Sequence, residues 1–314
     1  QFAPPSARIR MTSPAPMDAP AATGIAGELK AYGDLVAFSH TIFAMPFAGS
    51  AVIMALREKH VPLTVARGVA MVVCMVAART AAMAFNRWAD RDIDADNPRT
   101  KLRPIQAGRV KPNEAFALVV LSSAIFLGAA STLGFWPAVL SVPVLGVLLG
   151  YSYAKRFTPW AHAWLGVALA LAPGGAWLGM GAEPNDGIIT LMVGVVTWLF
   201  GFDVLYSLQD EAFDRARGLR SVPARFGTKG ALWLSGIAHM ITAACFLGTG
   251  LLLHRGPAFF VGAIGATGCL AYEHWLVGPG RLDKIDKAFF DMNAYVGVAF
   301  FSCTLADHFL TKAV

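Results

Sequence analysis

NRWADRDIDADNPRTK, residues 86–101, and YSLQDEAFDRARGLRS, residues 206–221, each close a long apolar run. The first stretch places Asn86, Asp90 and Asp94 four residues apart, and the second does the same with Tyr206, Asp210 and Asp214. Four-residue spacing predicts that each trio lies along one side of a helix. Carboxylates gathered at the C-terminal end of a helix meet the negative end of its dipole and repel one another, so such a cluster calls for a cation. A divalent metal, with a phosphorylated partner, is the expectation these residues set.

The runs around these stretches define the fold class. The chain of 314 residues is 56% hydrophobic and only 15% charged, with a mean hydropathy of +0.54. Soluble domains carry about a quarter charged residues, so this composition predicts an all-α, polytopic membrane protein. Windows of about 20 apolar residues predict nine spans, near 37–56, 63–85, 114–133, 136–153, 160–181, 188–206, 231–253, 257–277 and 289–310.

Lys and Arg are distributed unevenly between the connections. Those after the second, fourth, sixth and eighth spans hold 17 of the 26 basic residues, including Arg99, Arg103, Lys155, Arg156, Arg217, Arg281, Lys284 and Lys287. The connections after the third and fifth hold none. Basic loops lie in the cytoplasm, so both acidic stretches are expected on the cytoplasmic face, with the N-terminus inside and the C-terminus outside. The net charge of +6 is accounted for by this asymmetry, and no separate basic arm points to nucleic acid.

Residues 1–30, rich in Ala and Pro, are expected to form a disordered tail without a cleavable signal peptide, with Met11 and Met17 as candidate starts; residues 31–314 form the transmembrane domain. Cys74, Cys245, Cys269 and Cys303 fall inside predicted spans without metal-ligand spacing and are expected to be apolar fillers.

The acidic trios also mark an internal repeat. They recur at an offset of 120, and Pro104 with Gly108 recurs as Pro223 with Gly227 at an offset of 119. The prediction is two four-helix pseudo-repeats closed by a ninth helix, which brings the two acidic edges face to face. Facing carboxylates amid Arg and Lys suit a diphosphate held through Mg²⁺, which takes oxygen ligands from a few carboxylates and substrate phosphate.

With these motifs in place the chain resembles the UbiA superfamily of intramembrane prenyltransferases, whose members carry N-x-x-x-D-x-x-x-D after the second helix and D-x-x-x-D after the sixth. The resemblance extends over residues 33–310 and includes YSYAKRFT at 151–158. Within the superfamily the two stretches look most like the 4-hydroxybenzoate polyprenyltransferase branch of quinone biosynthesis, ubiquinone or menaquinone. Two departures are RPIQAG at 103–108, where relatives usually read RPLPSG, and Arg87 where many have Asp.

The resemblance implies that Asp90, Asp94, Asp210 and Asp214, assisted by Asn86, hold Mg²⁺ and with it the diphosphate of a polyprenyl donor, in a bacterial inner membrane. Loss of pyrophosphate then leaves an allylic cation that attacks a small aromatic acid. Lys155 and Arg156 are either diphosphate contacts or topology-setting charges, and Tyr206 and Tyr153 are either interfacial anchors or catalytic. A site open sideways to membrane lipid admits the polyprenyl chain, and apolar walls keep water from the cation. Phe38, Phe43 and Phe47 are candidates for that lining or for helix packing.

Arg79 and Asp203 each lie seven residues before a motif, about two turns into the membrane. They form either a mutual ion pair or an acceptor site, Arg79 meeting the acceptor's carboxylate and Asp203 orienting or deprotonating its hydroxyl. His40 is a further acceptor-site candidate. The rival readings are heme, chlorophyllide or a naphthoate-type ring as acceptor, and an ion-coupled transporter, whose site would sit at the membrane midplane rather than at helix ends.

Overall fold

The computed structural model describes residues 24–36, 44–59, 62–277, 285 and 288–311, and no strand occurs among them. Twelve α-helices follow in order: α1 (Ile25–Leu35), α2 (Met45–Lys59), α3 (Val65–Ala89), α4 (Arg91–Asp96), α5 (Pro112–Ser131), α6 (Phe135–Phe157), α7 (Ala161–Gly179), α8 (Asp186–Ser207), α9 (Glu211–Ala216), α10 (Val222–Leu252), α11 (Pro257–Leu276) and α12 (Asn293–Leu310). Each predicted span has its helix. Seven segments, built on α3, α5, α6, α7, α8, α10 and α12, are long and apolar enough to cross a membrane. α2, with 15 residues, and α11, which carries Glu273 and His274, are outside that set.

The helix starts are written in the local sequence. Thr64 accepts the Arg67 N–H at 3.3 Å, Asn185 the Ile188 N–H at 3.0 Å, and Ser221 the Ala224 N–H at 3.3 Å; each supplies an acceptor for a backbone donor that the first turn leaves unpaired. At α5 the Glu114 carboxylate accepts the Lys111 N–H at 2.9 Å, and Pro112 stands in the first turn, where its missing N–H costs nothing. Val69, Val72 and Val76 on α3, Val120 and Leu121 on α5 and Trp233 on α10 face outward. Apolar surface on both the inner and outer faces suits a lipid solvent.

Inside, Phe47 of α2 packs on Trp198, Phe246 and Phe300 with ring centroids 4.8, 5.5 and 5.4 Å away. Phe47 is therefore a packing residue of the central core. The four cysteines are free and partly buried. α12 closes the bundle by packing on both α11 and α2, and α2 also packs on α7.

The repeat survives at the level of single dihedral angles. The most extensive helix pairs are α3 with α5 and α8 with α10, the same pair in each half. Asp90 ends α3 at φ −94°, ψ 4°, and Asp210 precedes α9 at φ −98°, ψ 0°. Gly108 and Gly227 have φ of 68° and 69°, a left-handed region in which a Cβ is strained.

The structure corrects several expectations. Neither acidic trio lies on one continuous helix, because the chain breaks at the middle acid of each: α4 starts after Asp90, and a 3₁₀ turn at Leu208–Asp210 leads into α9. The four-residue ladder nevertheless runs through the first break, since Asp90 N–H donates to Asn86 O and Asp94 N–H to Asp90 O. Residues 25–30, expected in the tail, are helical in α1, which buries Ala31 and Leu35 against Ala84, Val110, Ala115 and Val119. α10 starts at Val222, well before the predicted 231, with non-helical Gly227 inside it. Residues 1–23, Phe38, His40, Phe43, Arg281, Lys284 and Lys287 lie outside the described residues.

Candidate active site

Both acidic stretches open on one cavity of about 230 Å³ at one end of the bundle. It is lined by Asn86, Asp90 and Asp94 from the first stretch and by Tyr206, Asp210 and Asp214 from the second, with Lys155, His162 and Asp203 between them. Residues 120 apart in sequence thus meet across a single opening.

The first motif is buried and compensated locally. Asp90 is 2% exposed, and its carboxylate lies 2.8 Å from Lys155 Nζ and 3.3 Å from an Arg156 nitrogen while accepting from Asn86 Nδ2 at 3.2 Å. Asp94 accepts from Arg103 Nη1 at 2.6 Å. Gln106 donates to Arg91 O at 2.9 Å and so anchors the 103–108 loop to α4. Arg87 turns toward Asn86, its Nη1 3.5 Å from Oδ1.

The second motif is more open and is reached by the loop of the first. Arg99 pairs with Asp210 through one guanidinium edge, Nε donating to Oδ1 at 3.0 Å and Nη2 to Oδ2, and Asn97 Nδ2 donates to the same Oδ1 at 3.3 Å. Arg99 Nη1 also donates to the Tyr206 hydroxyl at 3.2 Å. Burial opposes the charge on Arg99, but the hydrogen bond and charge of Asp210 outweigh it and hold the guanidinium above its ordinary pKa. Asp96 of α4 pairs with Arg217 beyond α9, a second tie between the halves.

Deeper in the cavity, Asp203 of α8 meets His162 of α7, with Oδ2 and Nδ1 2.7 Å apart. His162 is therefore the partner in place of the ion pair with Arg79 that spacing suggested. Arg79 is not among the residues that line the cavity, and its charge acts on Tyr151, which is. Tyr153 likewise faces away, packing on Phe85 at 5.8 Å with the Arg156 guanidinium 4.9 Å from its ring.

The candidates brought together are thus Asn86, Asp90, Asp94, Lys155, Asp203, Tyr206, Asp210 and Asp214, with Arg156 touching from the rim. Sequence reasoning missed His162, Asn97, Arg99 and Arg103 as site residues. The last two were visible only as basic-loop charges, and His162 acquires its place by meeting a residue 41 positions away.

Among the described residues, no three His, Cys, Asp or Glu side chains converge tightly enough to chelate an ion. The donor set still has the right chemistry: carboxylate, amide and phenol oxygens on two facing walls, which suits Mg²⁺ sharing its coordination with phosphate oxygens. The basic side chains that neutralise Asp90, Asp94 and Asp210 form a set of charge-assisted donors around the same opening.

A model of the UbiA prenyltransferase family matches residues 43–297. The chain belongs to this family. Among curated UbiA relatives, a 4-hydroxybenzoate octaprenyltransferase of Dechloromonas aromatica is 32% identical over 73% of this chain and 77% of its own length. One of the same name from Pseudomonas syringae is 29% identical with the same coverage. The apo structure of a UbiA homolog from Aeropyrum pernix superposes with a TM-score of 0.77 at 33% identity, over 85% of this chain and 98% of that one. A UbiA homolog from Archaeoglobus fulgidus bound to GPP and Mg²⁺ shares the fold, with a TM-score of 0.66 at 18% identity over 86% of this chain and 99% of that one. The protein is an integral membrane aromatic prenyltransferase.

Proposed function

We propose that this enzyme transfers a polyprenyl group from polyprenyl diphosphate to 4-hydroxybenzoate, in ubiquinone or menaquinone biosynthesis. The observation that carries the reading is the single cavity lined by both acidic motifs and by Lys155, Arg99 and Arg103. The names of the relatives at 29% and 32% identity support the acceptor.

Asp90, Asp94, Asp210 and Asp214, with Asn86, would hold Mg²⁺, which when bound supplies Lewis-acid compensation for the charge of the departing diphosphate. Lys155, Arg156, Arg99 and Arg103 bind the remaining phosphate charge and orient the donor, exchanging their carboxylate partners for phosphate oxygens. Tyr206, already a partner of Arg99, helps to place that guanidinium. Apolar helices below the motifs shield the allylic carbon from water. Asp203, in the cavity lining, acts on the acceptor's hydroxyl, whereas Arg79, outside that lining, bears on the acceptor's carboxylate only through the field it sets at Tyr151.

The same reading has the nine helices α2, α3, α5 to α8 and α10 to α12 crossing a bacterial inner membrane as residues 31–314, with the N-terminal tail and the site on the cytoplasmic side. The basic connections on the motif side support this orientation. The test is transfer from geranyl diphosphate to 4-hydroxybenzoate by the purified chain in detergent. Product that requires Mg²⁺ and disappears in Asp90→Ala is expected; metal-dependent diphosphate binding without product would move the acceptor to another aromatic ring.

A further inference from the structure

His162 is 7% exposed and lines the cavity beside Asp203, and the hydrogen bond between the two is separate from those that hold the carboxylates of the acidic motifs. Its Nδ1 is spoken for by Asp203, while its Nε2 is buried with no hydrogen-bond partner. Buried polar atoms are nearly always paired, and an exception in a cavity wall marks a place for a ligand. A carboxylate only accepts, so Nδ1 carries the hydrogen of the shared bond, and in the imidazole form of the ring the lone pair is then at Nε2. That lone pair takes a hydroxyl donor and rejects a carboxylate or an ether oxygen.

We infer that His162 Nε2 is the general base that receives the hydroxyl proton of the aromatic acceptor, with Asp203 as the positioning residue that fixes the tautomer and stabilises the imidazolium. The inference rests on the hydroxylated aromatic acid proposed above and narrows the acceptor class to arenes with a free hydroxyl.

The step balances without a further reactant. The acceptor's O–H bond breaks, its proton passes to Nε2, and the electron pair left on oxygen feeds the ring. The ring carbon ortho to that oxygen forms a C–C bond with the first prenyl carbon as the prenyl C–O bond breaks, its electron pair leaving on diphosphate. The hydrogen on the substituted ring carbon then departs as a proton to the pyrophosphate, its C–H pair restores aromaticity, and the imidazolium returns its proton to the oxygen. A group positioned in this way contributes roughly 100- to 10,000-fold to rate.

The experiment compares wild type, His162→Gln and Asp203→Asn in detergent at mildly alkaline pH with Mg²⁺ and geranyl diphosphate, on 4-hydroxybenzoate and on 2,6-difluoro-4-hydroxybenzoate. The fluorines of the difluoro acceptor lie meta to its hydroxyl, so both ortho carbons keep their hydrogens while the phenol is largely ionised at this pH and needs no base. His162→Gln is expected to lower kcat on 4-hydroxybenzoate by about 100-fold or more with diphosphate affinity unchanged, and the deficit relative to wild type is expected largely to vanish on the difluoro acceptor. Asp203→Asn follows the same pattern to a smaller extent. Equal deficits on both acceptors, or none on either, overturn the inference and leave the acceptor reading intact. If His162→Gln loses diphosphate binding, the same two-acceptor comparison on Asp203→Asn decides. Failure of wild type to prenylate either acceptor overturns the acceptor reading and this inference with it.

Discussion

The two acidic motifs are copies in sequence and in backbone, yet they are compensated in opposite ways. Asp90 and Asp210 break their helices at nearly the same dihedral angles. Asp90 is almost fully buried and is answered by Lys155 and Arg156, which lie in its own half of the chain. The Asp210 side chain is 18% exposed and is answered by Arg99 and Asn97, which belong to the other half. One motif is built into the bundle. The other is held by a reach across the cavity, so the repeat is asymmetric where the two halves must cooperate.

The largest expected effect comes from breaking either copy. Asp90→Asn and Asp210→Asn should each lower kcat/KM by about 100-fold or more, the scale on which single charge-stabilising groups contribute. Stability should separate them. Removing the buried carboxylate strips Lys155 and Arg156 of their partner and should cost about 2 kcal/mol, whereas the partly exposed Asp210 pair is worth about 1 kcal/mol or less. Thermal melts in detergent beside initial rates check both halves of this expectation, and equal destabilisation would erase the contrast.

A smaller effect should follow from cutting the reach itself. Arg99→Ala removes the bidentate contact to Asp210 and the bond to Tyr206. KM for the prenyl diphosphate should rise about 10-fold, one charge-assisted contact, with the melting temperature little changed. Arg99→Lys should restore only part of the affinity, because an ammonium lacks the planar fork; full restoration would show that charge alone is needed.

The smallest effect on catalysis, read through stability alone, tests the symmetry of the repeat. Gly108→Ala should destabilise by about 1 kcal/mol, the usual cost of a left-handed L-residue. Gly227→Ala should cost about 2 kcal/mol, because its φ of 69° with ψ of 173° is a region nearly restricted to glycine. Denaturation of the two variants measures the difference, and a neutral Gly227→Ala would mean that the kink in α10 is free to relax.

Much of this arrangement was legible in the sequence, because apolar windows and i, i+4 spacing are local signals. Every predicted span met a helix, and the motifs share one cavity as the repeat required. The six-residue helices α4 and α9 are too short to show a period, and α1 hides in a segment whose composition reads as a tail. The pairs of Arg99 with Asp210 and of His162 with Asp203 join residues 111 and 41 positions apart; such contacts arise from helix packing and leave no spacing to read. Arg79 shows the limit in reverse, since sharing a helix face with Asn86 did not bring it into the cavity lining.

The central claim is that the two unlike copies grip one ligand. The direct measurement is calorimetric titration of geranyl diphosphate with Mg²⁺ into wild type, Asp90→Ala, Asp210→Ala and the double variant. If both motifs hold the same metal-bound diphosphate, each single change removes most of the affinity and the double change adds little more, the non-additivity of residues acting as a unit. Losses that simply add, or one motif whose change leaves binding untouched, would contradict a shared site.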